Sequence, residues 1–504
     1  MRSSKALVVL ATAAAAVGIA ACNESFVPDY NAPTTFLHTV GALQSEFTGM
    51  IDAPRADVTN YALLMEGFGR NAAYYTSSES RFVTQWTGQE VLDNSNFGAG
   101  VWANTYSGIK VADSVISLLP VLKTSAGNIP AANQEAIFGA AETIKALDYM
   151  YIAESHDTNG VVMNGVGLPL NSALAPILCN KDVWQQIVAM LDSAVDSLNT
   201  AGAGAAIGLP GTTNTANLSF PSTYALVAPP GATTAGTFLP LTLALRGKAR
   251  VEFAYAVARA SAATAPTPSS PGSPSVIQLD SAITDIQASA PLYVPKMDST
   301  EAIPANDAGV FHYFSAASGD RTNTVGSRAS AIYVMADAFA QLDTTDKRFV
   351  AKFIRGTAPT SAGASSATPW FYGVNIGLAT PIPIVRNLEL HFILAQALIG
   401  TGQYAAAIQS IDSVRVLVGH LPSEAAALLL TPDYPTARDF LLQEQRSTLI
   451  LDGTGDRTIA LREYGLVTVA DTTWIATKDY QTSDLNIPLA ESNARGGNIA
   501  PSCP

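Results

Sequence analysis

Positive charge is scarce in this chain: 28 Lys and Arg stand against 41 Asp and Glu in 504 residues, a formal net charge of −13. Phosphate backbones and anionic headgroups are held by clustered Lys and Arg, and no such run occurs, which excludes nucleic acid and anionic lipid as partners. Histidine and cysteine are scarcer, with five and three residues. His38, His156, His312, His391 and His420 are scattered without ligand spacing, so no metal centre and no cofactor is expected. The G-x-S-x-G, H-E-x-x-H and P-loop motifs are absent. Carboxylate pairs such as Glu46/Asp52 and Asp192/Asp196 fall on helix-like segments, the second at the i,i+4 spacing of a solvated face. A glycosidase needs only that two carboxylates meet in space, so spacing alone leaves hydrolysis open. What the chain has in quantity is apolar material: 48% of residues are hydrophobic and only 14% charged, enough to bury a large core.

Long hydrophobic runs are also missing beyond the N-terminus, where nothing approaches the ~20 residues of a membrane span. The N-terminus itself reads as a signal peptide over residues 1–21: Arg2 and Lys5 give a positive start, Ala6 to Val17 an apolar stretch, and Ile19-Ala20-Ala21 small residues before Cys22. Cleavage after Ala20-Ala21 without lipid fits the same residues. The cysteine decides between the two, because Ile-Ala-Ala-Cys resembles the lipobox of bacterial lipoproteins, which implies lipidation of Cys22 and attachment through lipid alone. Asn23 lacks the Asp that marks inner-membrane retention, which favours the outer membrane. Loss of residues 1–21 removes Arg2 and Lys5 and shifts the charge to −15. Cys179 and Cys503 then remain. Spacing leaves two readings open, a disulfide in an oxidising envelope or a buried thiol with a second one near the C-terminus.

Residues 22–33, with Pro28, Asn31 and Pro33, predict a flexible tether, and ordered structure is expected from Thr34. From there the signal is helical. Trp184, Ile187, Val188, Leu191, Val195 and Leu198 recur at spacings of three and four, one apolar stripe with Asn180 or Asp182 as candidate cap. A second stripe runs through Leu388, Phe392, Ala395 and Ile399, breaks at Gly400-Thr401-Gly402, and resumes through Tyr404, Ala407, Ile408, Ile411 and Val414, which predicts a helical hairpin of tetratricopeptide type. Ala141–Glu154 and Leu241–Ala260 supply further helices, without a strict 34-residue period. Ala201–Gly236, Ser261–Ser275 and Gly356–Pro383 are rich in Gly, Ala, Ser, Thr and Pro and are expected to be loops.

Several segments in order resemble the SusD/RagB family of outer-membrane nutrient-binding lipoproteins. Trp102-Ala-Asn-Thr-Tyr106-Ser-Gly-Ile109 is similar to its Trp-x-x-x-Tyr-x-x-Ile helix, and Asp346-Lys-Arg348 to its Asp-x-Arg element. Arg386, Glu389 and Ala395-Gln396-Ala397 follow the family's Arg-then-helix segment, with Gln396 where Glu is commoner. Ile411 to Arg415, Glu444 to Gly453 and Ile487 to Asn493 resemble three further elements, Thr448 and Asp452 departing from the usual acidic residues. The resemblance implies a mostly α fold of irregular tetratricopeptide-like hairpins with long loop excursions, one ligand-binding domain over residues 34–504. It also implies a non-catalytic, surface-exposed lipoprotein that binds an oligosaccharide or other oligomeric nutrient, peptides included, and delivers it to a TonB-dependent transporter resembling SusC. A lipid-anchored hydrolase and a purely protein-binding scaffold are the competing readings.

Charges beside apolar stripes, Arg386, Glu389, Arg415, Glu444, Arg446 and Arg457, are read as staples between helices, since burial demands partners. Trp102 and Tyr106, one turn apart, are read as core. Sugar rings pack C–H faces on aromatic rings and satisfy hydroxyls with a few polar groups. By that criterion the candidate ligand-binding residues are Tyr74, Tyr75, Arg81, Trp86, Asn94 and Asn96, with Tyr313, Trp370 and Tyr372 from later loops.

Overall fold

The computed structural model describes residues 40–88, 90–93, 100–122, 129–163, 174–207, 234–316, 320–360, 366–467, 484–497 and 503. The signal peptide, Cys22, the tether 22–33, Asn94, Asn96 and most of the Ala201–Gly236 stretch lie outside them. Twelve longer or C-terminal helices carry the architecture: α1 (Val40–Asp52), α2 (Val58–Phe68), α3 (Gly100–Leu122), α4 (Ala131–His156), α5 (Asn180–Ala201), α6 (Ala235–Arg259), α7 (Val276–Ala288), α8 (Asn387–Gly400), α9 (Tyr404–Leu417), α10 (Tyr434–Leu449), α11 (Asp456–Glu463) and α12 (Leu489–Ala494).

Each helix from α3 to α7 packs on the next in sequence, and α8 packs on α7, α9 and α10, so the body is a run of helical hairpins. The apolar stripe read on α5 is buried along its length, with Trp184 only 1% exposed. Close approach on this face depends on small residues: a methyl at Gly139 of α4 would stand 2.7 Å from the Leu198 Cγ and 2.9 Å from the Ala194 carbonyl of α5. Neither Asn180 nor Asp182 caps α5, whose cap position falls on Cys179. The Asn180 amide instead donates to Asp157 at the end of α4, a carboxylate that outcompetes the local backbone. The α8–α9 hairpin forms as expected and turns through Gly402 at φ +79°.

The chain also makes strands that composition hides. β1 (Ala72–Tyr74), β5 (Ile332–Met335), β7 (Ala367–Tyr372) and β6 (Phe353–Arg355) form one antiparallel sheet in the order β1-β5-β7-β6. β2 (Val161–Val162) pairs β3 (Ile177–Leu178), and β4 (Gly309–His312) pairs β8 (Ile382–Arg386). Gly356–Pro383 is therefore only partly a loop, since it contains β7 and the first residues of β8. Its partners come from outside the window, so no local period announced them.

The staples are buried and paired. Arg386 bridges Asp307 at 2.8 Å and also holds Asp452, which takes the Lys352 ammonium at 2.6 Å. Glu444 receives Arg348 and Arg415 at 2.7 and 2.6 Å, with Thr448 accepting from Arg348 at 2.9 Å in place of an acidic partner. Glu389 pairs Lys248 at 3.2 Å, Arg446 donates to Asn71, and Arg457 to the Gly69 carbonyl. Tyr106 donates from its hydroxyl to the Val162 carbonyl, and its ring lies 4.8 Å from Trp102, the packing role expected of both. At the C-terminus Leu485 donates to the Ser155 carbonyl, Asn486 to Leu92 and Arg495 to Ala175, and Cys503 is disulfide-bonded to Cys179 with Cα atoms 5.2 Å apart. The open question on the two cysteines thus resolves as a disulfide.

Candidate aromatic site on the four-stranded sheet

Residues paired across strands share a face, and alternate residues along a strand take opposite faces. The register Tyr74 with Ile332, Arg355 with Trp370 and Phe353 with Tyr372 puts Tyr74, Trp370 and Tyr372 on the face turned to the core. Trp370 packs 5.0 Å from the Phe349 ring, and Tyr372, 5% exposed, 6.0 Å from Phe353. The two β7 aromatics expected at the ligand are thus inward residues. Phe371, between them, is the outward one.

On the outer face the rings form a ladder. Tyr75 meets Tyr333 edge-on at 5.8 Å, and Tyr333 meets Phe371 at 5.9 Å. The Tyr75 hydroxyl, 2.8 Å from the Ser366 Oγ, is pushed up to about 12 by burial. Ala73, Val83 and Met335 pack with Tyr75 on this face and leave it only 4% exposed. Glycine shapes the far end: a methyl at Gly356 or Gly373 would stand 2.7 or 2.9 Å from the Phe371 ring, so both positions keep room for it. Ile354, 41% exposed, continues the apolar surface.

A second cluster sits at β1, an edge strand. The short helix Arg81–Thr84 brings Phe82 to 5.1 Å from Tyr74, and Trp86 follows at 4.8 Å from Phe82. Trp86 is 5% exposed and supports this corner from below. Arg81 is held by Glu79 at 2.6 Å and Asp93 at 2.8 Å, and its hydrogen bonds bring the Glu79 carboxyl down to about 2. Arg328 lays its guanidinium over Tyr74 and Phe82. Tyr313 lies elsewhere, half-buried one residue past β4, its ring 6.2 Å from Phe311. Of the expected residues, then, the structure joins Tyr74, Tyr75, Arg81, Trp86, Trp370 and Tyr372 around one sheet, but on two faces.

Tyr333, Phe371, Phe82 and Arg328 were not singled out from sequence. Strand alternation across Trp370-Phe371-Tyr372 is the signal that would have found Phe371. A shallow cleft opens beside the inward face, lined by Pro304, Asn323, Lys352, Tyr372, Asn375 and Thr380. Three of its polar residues are already engaged, Lys352 with Asp452, Asn323 with the Thr380 carbonyl and Asn375 with that of Ala351. Among the described residues no cluster of three His, Cys, Asp or Glu is placed to hold a metal, and no helix is long and apolar enough to cross a membrane.

The sequence matches no protein-family model and no curated protein. Solved structures match over nearly the whole chain. Surface glycan-binding protein A from Bacteroides thetaiotaomicron superposes with a TM-score of 0.63 at 13% identity, covering 92% of this chain and 99% of that one. A SusD-like protein from Bacteroides fragilis gives 0.61 at 14% identity, over 87% and 88%. The fold is SusD-like. A laminarin-binding SusD-like protein adds a TM-score of 0.56 at 15% identity, covering 90% of this chain and 96% of its own. The irregular helical hairpins expected from the motif order are thus those of the SusD-like fold, and the four-stranded sheet is set among them.

Proposed function

We propose that the protein is a non-catalytic lipoprotein, anchored in the outer membrane through Cys22, that binds an oligosaccharide at the cell surface and delivers it to a TonB-dependent transporter resembling SusC. The observation that carries this reading is the outward pair Tyr333–Phe371, two half-buried rings backed by the buried Tyr75 on a rigid sheet with a glycine bed at one end. Flat apolar rings suit the C–H faces of sugars, and a sheet fixes their spacing at little entropic cost. Structures of the same fold support the ligand class: surface glycan-binding protein A was solved with laminarihexaose, and another match with a xylogluco-oligosaccharide. Tyr74, Arg81 and the outward Tyr333 and Phe371 are the residues proposed at the ligand, with Tyr75, Trp86, Trp370 and Tyr372 holding them from behind. Tyr313 remains a proposed contact from outside this ladder, and Asn94 and Asn96, which lie outside the described residues, remain proposed contacts as well.

Calorimetric titration of the protein against soluble laminarin, xyloglucan, starch and peptide mixtures tests the reading. Saturable glycan binding that Phe371→Ala weakens supports it; binding of peptides alone, or release of new reducing ends, overturns it. For the anchor, Cys22→Ala should leave affinity unchanged and abolish uptake, whereas loss of both refutes the assigned role.

A further inference from the structure

Arg328 is a cation without a counter-charge. It ends the short helix Thr324–Arg328, and its Cζ stands 5.2 Å from the Tyr74 ring centre and 5.5 Å from that of Phe82. Its Nη1 is buried with no hydrogen-bond partner, and among the described residues no carboxylate reaches it. Other ring-stacked arginines differ in this respect. Arg55 holds Asp320 at 2.8 Å, Arg438 holds Asp439 at 2.5 Å, and Arg462 donates to the Glu154 carbonyl. Glu79 and Asp93, the carboxylates bound to the Phe82 helix, are both committed to Arg81.

Two rings within 5.5 Å shield the half-buried Arg328 guanidinium from part of the solvent, so its charge is less screened than that of a surface arginine. A planar fork of donors held in place matches a carboxylate, which can accept two parallel hydrogen bonds. Tyr74 and Tyr75 are consecutive on an edge strand, so a ligand lying on the outer ladder and running past that edge arrives at this corner. The chain as a whole carries −13, a field that repels a polyanion at long range. The chemistry that satisfies both facts is a mostly neutral glycan with an isolated acid group.

We infer that the Tyr74–Phe82–Arg328 corner is a carboxylate-reading subsite, and that the ligand is an oligosaccharide carrying a hexuronate residue. The inference rests on the glycan reading of the ladder and adds charge selectivity to it. The test pairs each of several single-uronate oligosaccharides with its carboxyl-reduced, neutral counterpart, titrated against wild type, Arg328→Gln, Arg328→Lys and Phe371→Ala. Wild type should bind the acid at least tenfold more tightly than its reduced twin. Arg328→Gln should erase the difference and leave neutral binding unchanged, and Arg328→Lys should keep part of it, increasingly lost at higher salt. Equal binding of acid and reduced forms by wild type overturns the subsite while leaving the ladder standing, provided Phe371→Ala still weakens both. Binding of acidic peptides and of no glycan overturns both readings together. Thermal melts confirm that the variants fold, and the wild-type comparison decides the matter even if Arg328→Gln does not.

Discussion

The carboxyl groups of Glu252 and Glu463 face each other within hydrogen-bonding reach in the interior, where both cannot carry charge at once. Burial raises both, Glu252 further through the charge of Glu463, and Glu463 sits at about 8 despite Arg259 beside it. A carboxyl whose folded-state value lies above its unfolded one contributes stability that is whole at low pH and drains away as pH rises through the folded value. Stability should therefore fall between about pH 5 and pH 8, on the order of 1 kcal/mol per pH unit for each such group. Melting curves across that range, with Glu463→Gln beside wild type, check it: the variant should show a shallower decline, and parallel curves would refute the assignment.

Phe371 and its neighbours in sequence should respond oppositely. Phe371→Ala removes an outward ring and should cost roughly fivefold in glycan affinity, the ~1 kcal/mol scale of an aromatic contact, with little change in melting temperature. Tyr372→Ala empties a core position and should destabilise the fold by about 3 kcal/mol. Denaturant titration and glycan titration on the same two variants separate the effects.

Reduction, or Cys179→Ser, frees the C-terminal segment from β3 and α5. The expected loss is about 2–4 kcal/mol, read as a lower urea midpoint under reducing conditions. A midpoint insensitive to reductant would show that the C-terminus is held without the bond.

Asp148 is fully buried in α4, and among the described residues neither of its oxygens has a hydrogen-bond partner. Burial, and secondarily the Asp57 charge, hold it protonated far above the usual carboxylate range. Because the unfolded chain ionises this group and the folded chain cannot, Asp148→Asn should stabilise the protein at pH 8 and do so far less at pH 4. Gly108 faces the same carboxyl, so Gly108→Ala should collide with it and destabilise. Equal effects of Asp148→Asn at the two pH values would mean that the carboxyl is ionised in the fold.

The helices were legible because their signal is local. Six apolar residues at helical spacing define α5, and a Gly-Thr-Gly break defines the α8–α9 turn. The sheet was not, because β1 finds its partner some 260 positions away and β7 lies in a stretch whose Gly, Ser and Thr read as loop. At the candidate site, aromatic density pointed to segments that the fold brings to one sheet but not to the faces on which their rings lie. A loop reading gives no reason to prefer Phe371 over Trp370, whereas a strand assigns them opposite faces. Arg328 carries no local signal at all: its meaning comes from Tyr74 and Phe82, which reach it only in the folded chain.

That same distance has a consequence for when the protein can act. Tyr75, Tyr333 and Phe371 become one surface only after strands from the first sixth and the last third of the chain have paired. A chain whose β1, β5 and β7 have not yet paired has the aromatic residues but no platform, and one cut before residue 371 lacks Phe371 as well. On the proposed reading, ligand capture is reserved for finished molecules, and glycan binding would serve as an assay of complete folding.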